Sequence, residues 1–354
     1  MAFTKVPTES KKQINKAGKI LAENKPNGIS IEQAIALVDK WRACHAYPIN
    51  TFQATLRRKL NKFTNSPIVA QRLKRMPTII GKLKKNHSMQ LTTMQDIGGI
   101  RAVMNSIDDV YKLASEYREE SRFAHELKKE NDYISKPRDE DGYRSLHLIY
   151  RYKNKKIPEY DGLLLELQIR TKLQHAWATA VETMGTFLGQ ALKSRQGDRA
   201  WLDFFALVSS AFAHIEESAL IPKHATKSKK ETFIAVAKMN EELKVLDKIK
   251  GYSVAVNEIV KRGDSDKSWS YHLIILNSIE KNVQIKPYKR EGFKQAIADY
   301  GKVEEQAAKG EKIEAVLVSA GPLATLRQAY PNFFLDISDF VKHIEDIIKE
   351  SKIT

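Results

Sequence analysis

Residues Leu163–Gly185 read LLLELQIRTKLQHAWATAVETMG. Side chains along a strand point alternately to its two faces, so Leu165, Leu167 and Ile169 share one face and Glu166, Gln168 and Arg170 the other. From Lys172 the period lengthens to that of a helix. Leu173, Trp177, Ala180 and Met184 form an apolar stripe, with His175, Thr179 and Glu182 on the opposite side. A strand that runs without a break into a helix predicts an α/β fold. A carboxylate strand face beside a helix presenting His and Glu fits two readings, an ordinary half-solvated surface or the wall of a cleft.

Towards the N-terminus, IEQAIALVDKWRACHA (31–46) has helical spacing with Ser30 as its N-cap, and TFQATLRRKLNKF (51–63) continues in the same way. Pro77 suits the first turn of a helix TIIGKLKK (78–85). DIGGIRAVMNS (96–106) predicts a turn and a strand, 108–129 a charged amphipathic helix, and SLHLIYRY (145–152) another strand. Residues 1–28 are polar and are expected to hold little ordered structure. Beyond Gly185, helices are expected over 172–192 and 199–220, then a basic, Pro222-containing linker and a mostly helical connector over 231–262. After Gly263 the pattern restarts, with strands at 270–278, 282–288 and 312–320, a helix at 291–308 and a final helix at 336–351. These shifts divide the chain into residues 1–220, a helical linker 221–265 and a small α/β domain 266–354.

The chain has 354 residues, 42% apolar and 29% charged, a globular composition with room for two or three cores. Its longest apolar runs fall far short of a membrane span, and MAFTKVPTESKKQ has no apolar signal core, so a reducing cytoplasm is expected. One cysteine, Cys44, allows no internal disulfide and no cysteine-based zinc site, and no zinc is expected. The net charge of +16 points to a polyanionic partner such as a nucleotide or RNA; a lysine-rich soluble surface is the plainer reading.

Two connections stand out for chemistry. In DIGGIR, the glycines Gly98 and Gly99 let backbone approach a ligand, and Asp96 with Glu166 forms a pair suited to one hard cation; a capped glycine turn is the ordinary alternative. Around it, Arg72, Lys74, Lys82 and Arg101 would neutralise a polyphosphate, the main demand of phosphoryl-type transfer. The second is Asp132–His147, DYISKPRDEDGYRSLH, which sets Lys136, Arg138, Arg144 and His147 around Gly142 and Tyr143 where a solvated turn needs none of them together. No phosphate-binding P-loop, kinase glycine loop or GxSxG elbow is present in the sequence.

Together RLKRMPTIIGK, DIGGIR, DYISKPRDEDGYRSLH and ELQIRTKLQHAWA resemble the synthetase domain of the RelA/SpoT family, over roughly residues 50–190. The resemblance implies a nucleotidyltransferase-like mixed sheet flanked by helices, and transfer of the β,γ-pyrophosphate of ATP to a ribose 3′-hydroxyl. It implies Arg72, Lys74, Lys82 and Arg101 on ATP, with Arg72 and Arg101 sandwiching adenine, and Asp96 and Glu166 on Mg²⁺. Glu166 would also activate the acceptor hydroxyl. Tyr143 would stack on the acceptor base, and His147 and Gln168 would line its pocket. Arg138 stands where alarmone makers commonly have lysine, followed by an acidic DED insert, which puts a guanine acceptor in doubt. No hydrolase-type domain precedes the synthetase region, so breakdown of alarmone is not expected.

The overall plan resembles the toxic small alarmone synthetases, and among them the fused toxin–antitoxin CapRel type, which is bacterial or prophage-encoded. That resemblance implies the 3′-terminal adenosine of tRNA as acceptor, a block of aminoacylation and translation, and a C-terminal domain similar to a zinc finger without metal. That domain would inhibit the enzyme until a phage protein, typically the capsid protein, binds it in abortive-infection defence. Lys59, Lys62, Lys84 and Lys85 are candidate tRNA contacts, and Tyr330, Phe333 and Phe334 candidate inhibitory anchors; solvated lysines and core aromatics are the plainer readings. Two other classes stay open: a (p)ppGpp synthetase using GDP or GTP, and an inactive synthetase fold serving as a sensor.

Overall fold

The computed structural model describes residues 3–63, 68–119, 123–187, 199–247, 271–277, 280, 282–309, 311, 313–319 and 337–352. The chain divides into two compact units, one of residues 1–102, 111–130 and 147–168, the other of 103–110, 131–146 and 169–354. A five-stranded sheet has the order β1-β2-β5-β4-β3, with β1 Ile68–Leu73, β2 Gly98–Met104, β3 Glu126–Asp132, β4 Leu146–Arg151 and β5 Leu164–Thr171. Backbone bonds from Tyr133 to Ser145, and between Tyr152 and the Gly162–Leu163 corner, close β3–β4 and β4–β5 as hairpins. The mixed α/β architecture expected from the strand-to-helix junction is present.

Three elements differ from the sequence reading. The helix expected over 108–129 stops early, at α5 Ile107–Glu119, and ELKKEND forms β3 at the edge of the sheet. Its exposed lysines and glutamates give a helix-like, charged composition, yet they are also what keeps an open edge from pairing with other chains. IVAQRL, to which the sequence reading assigned no strand, forms the other edge, β1. The N-terminal segment is ordered: α1 Lys11–Glu23 begins with a capping box in which Ser10 and Gln13 satisfy each other's backbone N–H groups. Ile14, Ala17, Ile20 and Leu21 of α1 are buried, and the helix packs on α2 Ile31–Ala43 and α4 Met76–Lys85. The S-x-x-Q signature followed by apolar residues at helical spacing was the available signal.

In the first unit α3 Ala46–Leu60 sends Phe52 into an aromatic core, stacked on Tyr117 at 5.8 Å between ring centroids, with Tyr150 beside it. In the second, α6 Lys172–Phe187, α7 Arg199–Ile215 and α8 Lys229–Leu243 share one apolar cluster containing Trp177, Phe205, Phe212, Phe233 and Val236. A separate three-stranded antiparallel sheet, order β7-β6-β8, pairs Tyr271 of β6 (Tyr271–Asn277) with Tyr288 of β7 (Asn282–Tyr288) and with Ser319 of β8 (Ile313–Ser319). Its core of Leu273, Ile275 and Ala315 packs on Tyr300 and Val303 of α9 Phe293–Ala308.

Among the described residues, the last helix, α10 Ser338–Lys352, is not part of the small core. Its Phe340, Ile344 and Ile347 lie in the α6–α8 cluster. The spacing of these residues makes one apolar stripe, which needs a long hydrophobic groove such as the helical cluster offers. The small sheet is therefore bracketed in the chain by two helices, α8 and α10, of the same cluster. Among the described residues no helix is long and apolar enough to cross a membrane.

Candidate active site

In the first unit, Lys74 leaves the end of β1 and its backbone N–H donates to the carbonyl of Ile97 at 2.8 Å, which ties β1 to the entry of β2. That tie sets Asp96 between two cations. Lys74 Nζ donates to Asp96 Oδ2 at 2.7 Å, and Lys82 Nζ, from α4, to Oδ1 at 3.0 Å. Burial by itself would raise the Asp96 pKa, but the two ammonium groups outweigh it and hold the carboxyl at about 2. Lys74 is itself buried, and desolvation pulls its pKa below the usual lysine range against the opposing pull of Asp96.

Glu166 belongs to the outward row of β5, whose burial alternates as expected from Leu164 to Ile169. Its Oε1 lies 2.9 Å from Nδ1 of His147, the second residue of β4, and its Oε2 accepts from Gln168 Nε2 at 2.7 Å. Burial pushes this carboxyl up, and the His147 and Gln168 contacts together outweigh it, so Glu166 titrates below the ordinary glutamate value. The negative charge of Asp96 is felt at Glu166. Two ionised carboxylates in mutual range, ringed by cations, are the donor set that a hard dication with phosphate ligands uses, so these residues fit Mg²⁺. Among the described residues no cluster of three or more His, Cys, Asp or Glu side chains is placed to hold a metal.

Arg72 and Arg101 lie half-buried on β1 and β2. The two glycines of DIGGIR differ in purpose. A Cβ on Gly98 would stand 2.7 Å from Leu165 Cδ2 and 3.1 Å from Ile49 Cγ1, so this glycine serves sheet packing rather than ligand approach. At Gly99 the nearest atoms, of Arg72, are 3.9 Å away.

In the second unit, residues 131–146 build a braced loop. Gly142 has φ of +75°, a left-handed conformation that favours glycine, and its N–H donates to the Arg138 carbonyl at 2.8 Å. Asp141 accepts from Arg138 through both oxygens, at 3.1 and 2.7 Å, and from the Tyr143 N–H at 3.0 Å. The Arg138 guanidinium thereby lies over the Tyr143 ring, 4.4 Å from its centroid. Tyr133 and Trp177 meet the same ring edge-on. The acidic insert thus supplies the residue that fixes Arg138; Asp141 was not singled out from sequence, although its position three residues after an arginine is the spacing of such a pair.

Arg144 requires a correction. Expected to bind the acceptor, it is 3% exposed and its guanidinium donates to Ser209 Oγ at 2.9 Å and to the Ala219 carbonyl at 2.6 Å. Burial lowers its pKa to about 10, with Glu216 opposing the shift. Lys59, a candidate tRNA contact, is likewise buried, bonded to the Glu116 carbonyl at 3.2 Å and set over the Tyr117 ring. The helix face of His175 and Thr179 is buried as well, with His175 hydrogen-bonded to Arg170, because α6 is enclosed on most sides. Lys136, Lys62, Lys84 and Lys85 are exposed, Lys62 bonding to Glu116 at 3.0 Å. Tyr330, Phe333 and Phe334 lie outside the described residues.

Residues 71–185 match the family model described as "Region found in RelA / SpoT proteins". The resemblance read from the four motifs is supported over this region. Among individual relatives, the GTP pyrophosphokinase YjbM of Bacillus subtilis (strain 168) is 33% identical over 119 residues, 32% of this chain and 55% of the relative. The GTP pyrophosphokinase YwaC of the same organism is 30% identical over 114 residues, 30% of this chain and 52% of the relative. The chain thus spans about half the length of these curated relatives. The crystal structure of small alarmone synthetase 1 from Bacillus subtilis aligns with a TM-score of 0.42 and 23% identity, over 51% of this chain and 93% of that one.

Proposed function

We propose that the protein is an ATP-dependent pyrophosphokinase of the RelA/SpoT type. The observation that carries this reading is the Lys74–Asp96–Lys82 ion cluster, within electrostatic range of a half-buried Glu166 held by His147 and Gln168. Two lysines poised on one carboxylate can exchange it for phosphate oxygens, so Lys74 and Lys82 receive the ATP polyphosphate while Arg72 and Arg101 flank its adenine. Asp96 and Glu166 would hold Mg²⁺, which would supply neutralisation of the developing phosphate charge. Glu166, ionised at neutral pH, takes the proton of the acceptor 3′-hydroxyl as its oxygen attacks the β-phosphorus and AMP departs. Match to the RelA/SpoT region and to two GTP pyrophosphokinases supports the reaction class.

For the acceptor, we read the 3′-terminal adenosine of tRNA, stacked on Tyr143, with Lys136 and Arg138 beside it and Lys84 and Lys85 on the acceptor stem. The net charge of +16 supports a macromolecular polyanion. A second reading, GDP or GTP as acceptor, is favoured by the names of the relatives. Residues within 266–354 act as a built-in regulator relieved by a phage protein such as the capsid, in a cytoplasmic setting. Its support is the resemblance in layout. Incubation with ATP labelled at the γ-phosphate, separately with deacylated tRNA and GDP, and with or without phage capsid protein, tests all parts. Label on GDP alone refutes the tRNA reading; label on neither, with capsid present, refutes the activity. Equal labelling with and without capsid refutes that trigger. Tyr143→Ala is expected to abolish labelling at subsaturating acceptor.

A further inference from the structure

Ser209 lies in the apolar run FFALVSSAF of α7 and is 2% exposed, a place where a hydroxyl must find partners inside the protein. It finds two. Its Oγ donates to the Gly142 carbonyl at 2.5 Å and accepts from Arg144 Nε at 2.9 Å. One hydroxyl thus joins the residue before Tyr143 to the residue after it. The chain is also pressed against α7 here: a Cβ on Gly142 would stand 2.7 Å from Ser209 Cβ and 3.2 Å from Ala206 Cα. The other arm of Arg144 donates to the Ala219 carbonyl at 2.6 Å. From within the loop, Asp141 takes the Tyr143 N–H and clamps Arg138 over the ring.

We infer that Ser209 is a positioning residue for Tyr143, setting the ring's direction by fixing the backbone on both sides of it. That this ring is the platform for the acceptor base rests on the function proposed above. Apolar packing of α7 needs only a small side chain at this position; the hydroxyl serves the loop. An alanine leaves the Gly142 carbonyl and the Arg144 Nε–H without this partner, and the loss of such bonds corresponds to about a five- to tenfold change in the population of the set conformation.

Nitration of individual tyrosines by tetranitromethane, followed by peptide mass spectrometry, reads the ring without reference to activity. In the full chain, Ser209→Ala is expected to raise the Tyr143 nitration rate about fivefold, with Tyr47 of the first unit unchanged. Ser209→Cys, similar in shape and a weak donor, should fall between. An unchanged Tyr143 rate overturns the inference, and so does a parallel rise at Tyr47, which would mean general loosening. The KM for the acceptor, tRNA or GDP, is then expected to rise about five- to tenfold while the KM for ATP stays put. If the Tyr143 rate rises and the acceptor KM does not, positioning stands and the platform reading fails.

Discussion

Replacing Phe340 by alanine should destabilise the helical cluster beneath the Tyr143 loop, although Phe340 lies near the chain's C-terminus. The ring is fully buried, 5.9 Å from Phe205 and 6.1 Å from Phe212 between centroids. Burial of such a side chain contributes about 1.5–3 kcal/mol and the aromatic pairs add more, so truncation to alanine is expected to cost about 3–5 kcal/mol once the cavity is included. Against a total stability of about 5–15 kcal/mol, that is a large share. Trp177 and Trp201, both buried in this cluster, provide the fluorescence probe for urea unfolding. With a denaturant slope of about 2 kcal/mol/M, the midpoint should fall by roughly 1.5–2.5 M. A fall below about 0.3 M would show that α10 is not part of the cluster in solution, and would remove the basis for treating it as such. The practical consequence concerns the proposed regulator. A truncation before residue 337 strips α10 from α6 and α8, so loss of activity in that variant says nothing about inhibition; an internal deletion that keeps α10 is the informative one.

Gly98→Ala forces a Cβ to 2.7 Å from Leu165 Cδ2 and should cost about 1–3 kcal/mol in thermal unfolding, whereas Gly99→Ala, with 3.9 Å of clearance, should cost far less. The Asp96 carboxyl is held at about 2 against an ordinary 3.8, so its ionised form adds stability above about pH 4 that is lost as pH falls towards 2. Asp96→Asn should flatten that part of the acid-unfolding curve and abolish pyrophosphate transfer. Lys59→Ala should lower stability by about 1.5–3 kcal/mol through the lost Glu116 contacts, without altering the salt dependence of tRNA binding. Lys84→Ala and Lys85→Ala should each reduce the slope of log affinity against log salt by about 1 and leave the melting temperature unchanged.

Much of the candidate site was legible because its chemistry is carried by short motifs whose internal spacing fixes their geometry. Glu166 and Gln168 share a face because they are two apart on a strand, and their 2.7 Å bond follows from that. Asp96 beside a glycine turn and Lys82 one helix away were both candidates, and the structure joins them. What a cation binds was not legible. Arg138, Arg144 and Lys59 look alike as basic residues, yet one lies over Tyr143, one is bolted to α7 and one is sealed against Tyr117. Burial decides among such fates, and burial depends on residues far away in the chain.

The sequence by itself determined the strand-to-helix junction at Thr171, the alternating face of β5 and the capped start of α2, since periodicity and capping act within a few residues. Tertiary structure decided the rest. ELKKEND became an edge strand because a neighbouring strand satisfied its backbone, overriding its helical composition. The final helix joined α6 and α8 rather than the small sheet next to it in sequence, because a stripe of Phe340, Ile344 and Ile347 settles where the most apolar surface can be removed from water. Hydrophobic burial is non-directional and indifferent to chain order, so no local pattern could have named that partner.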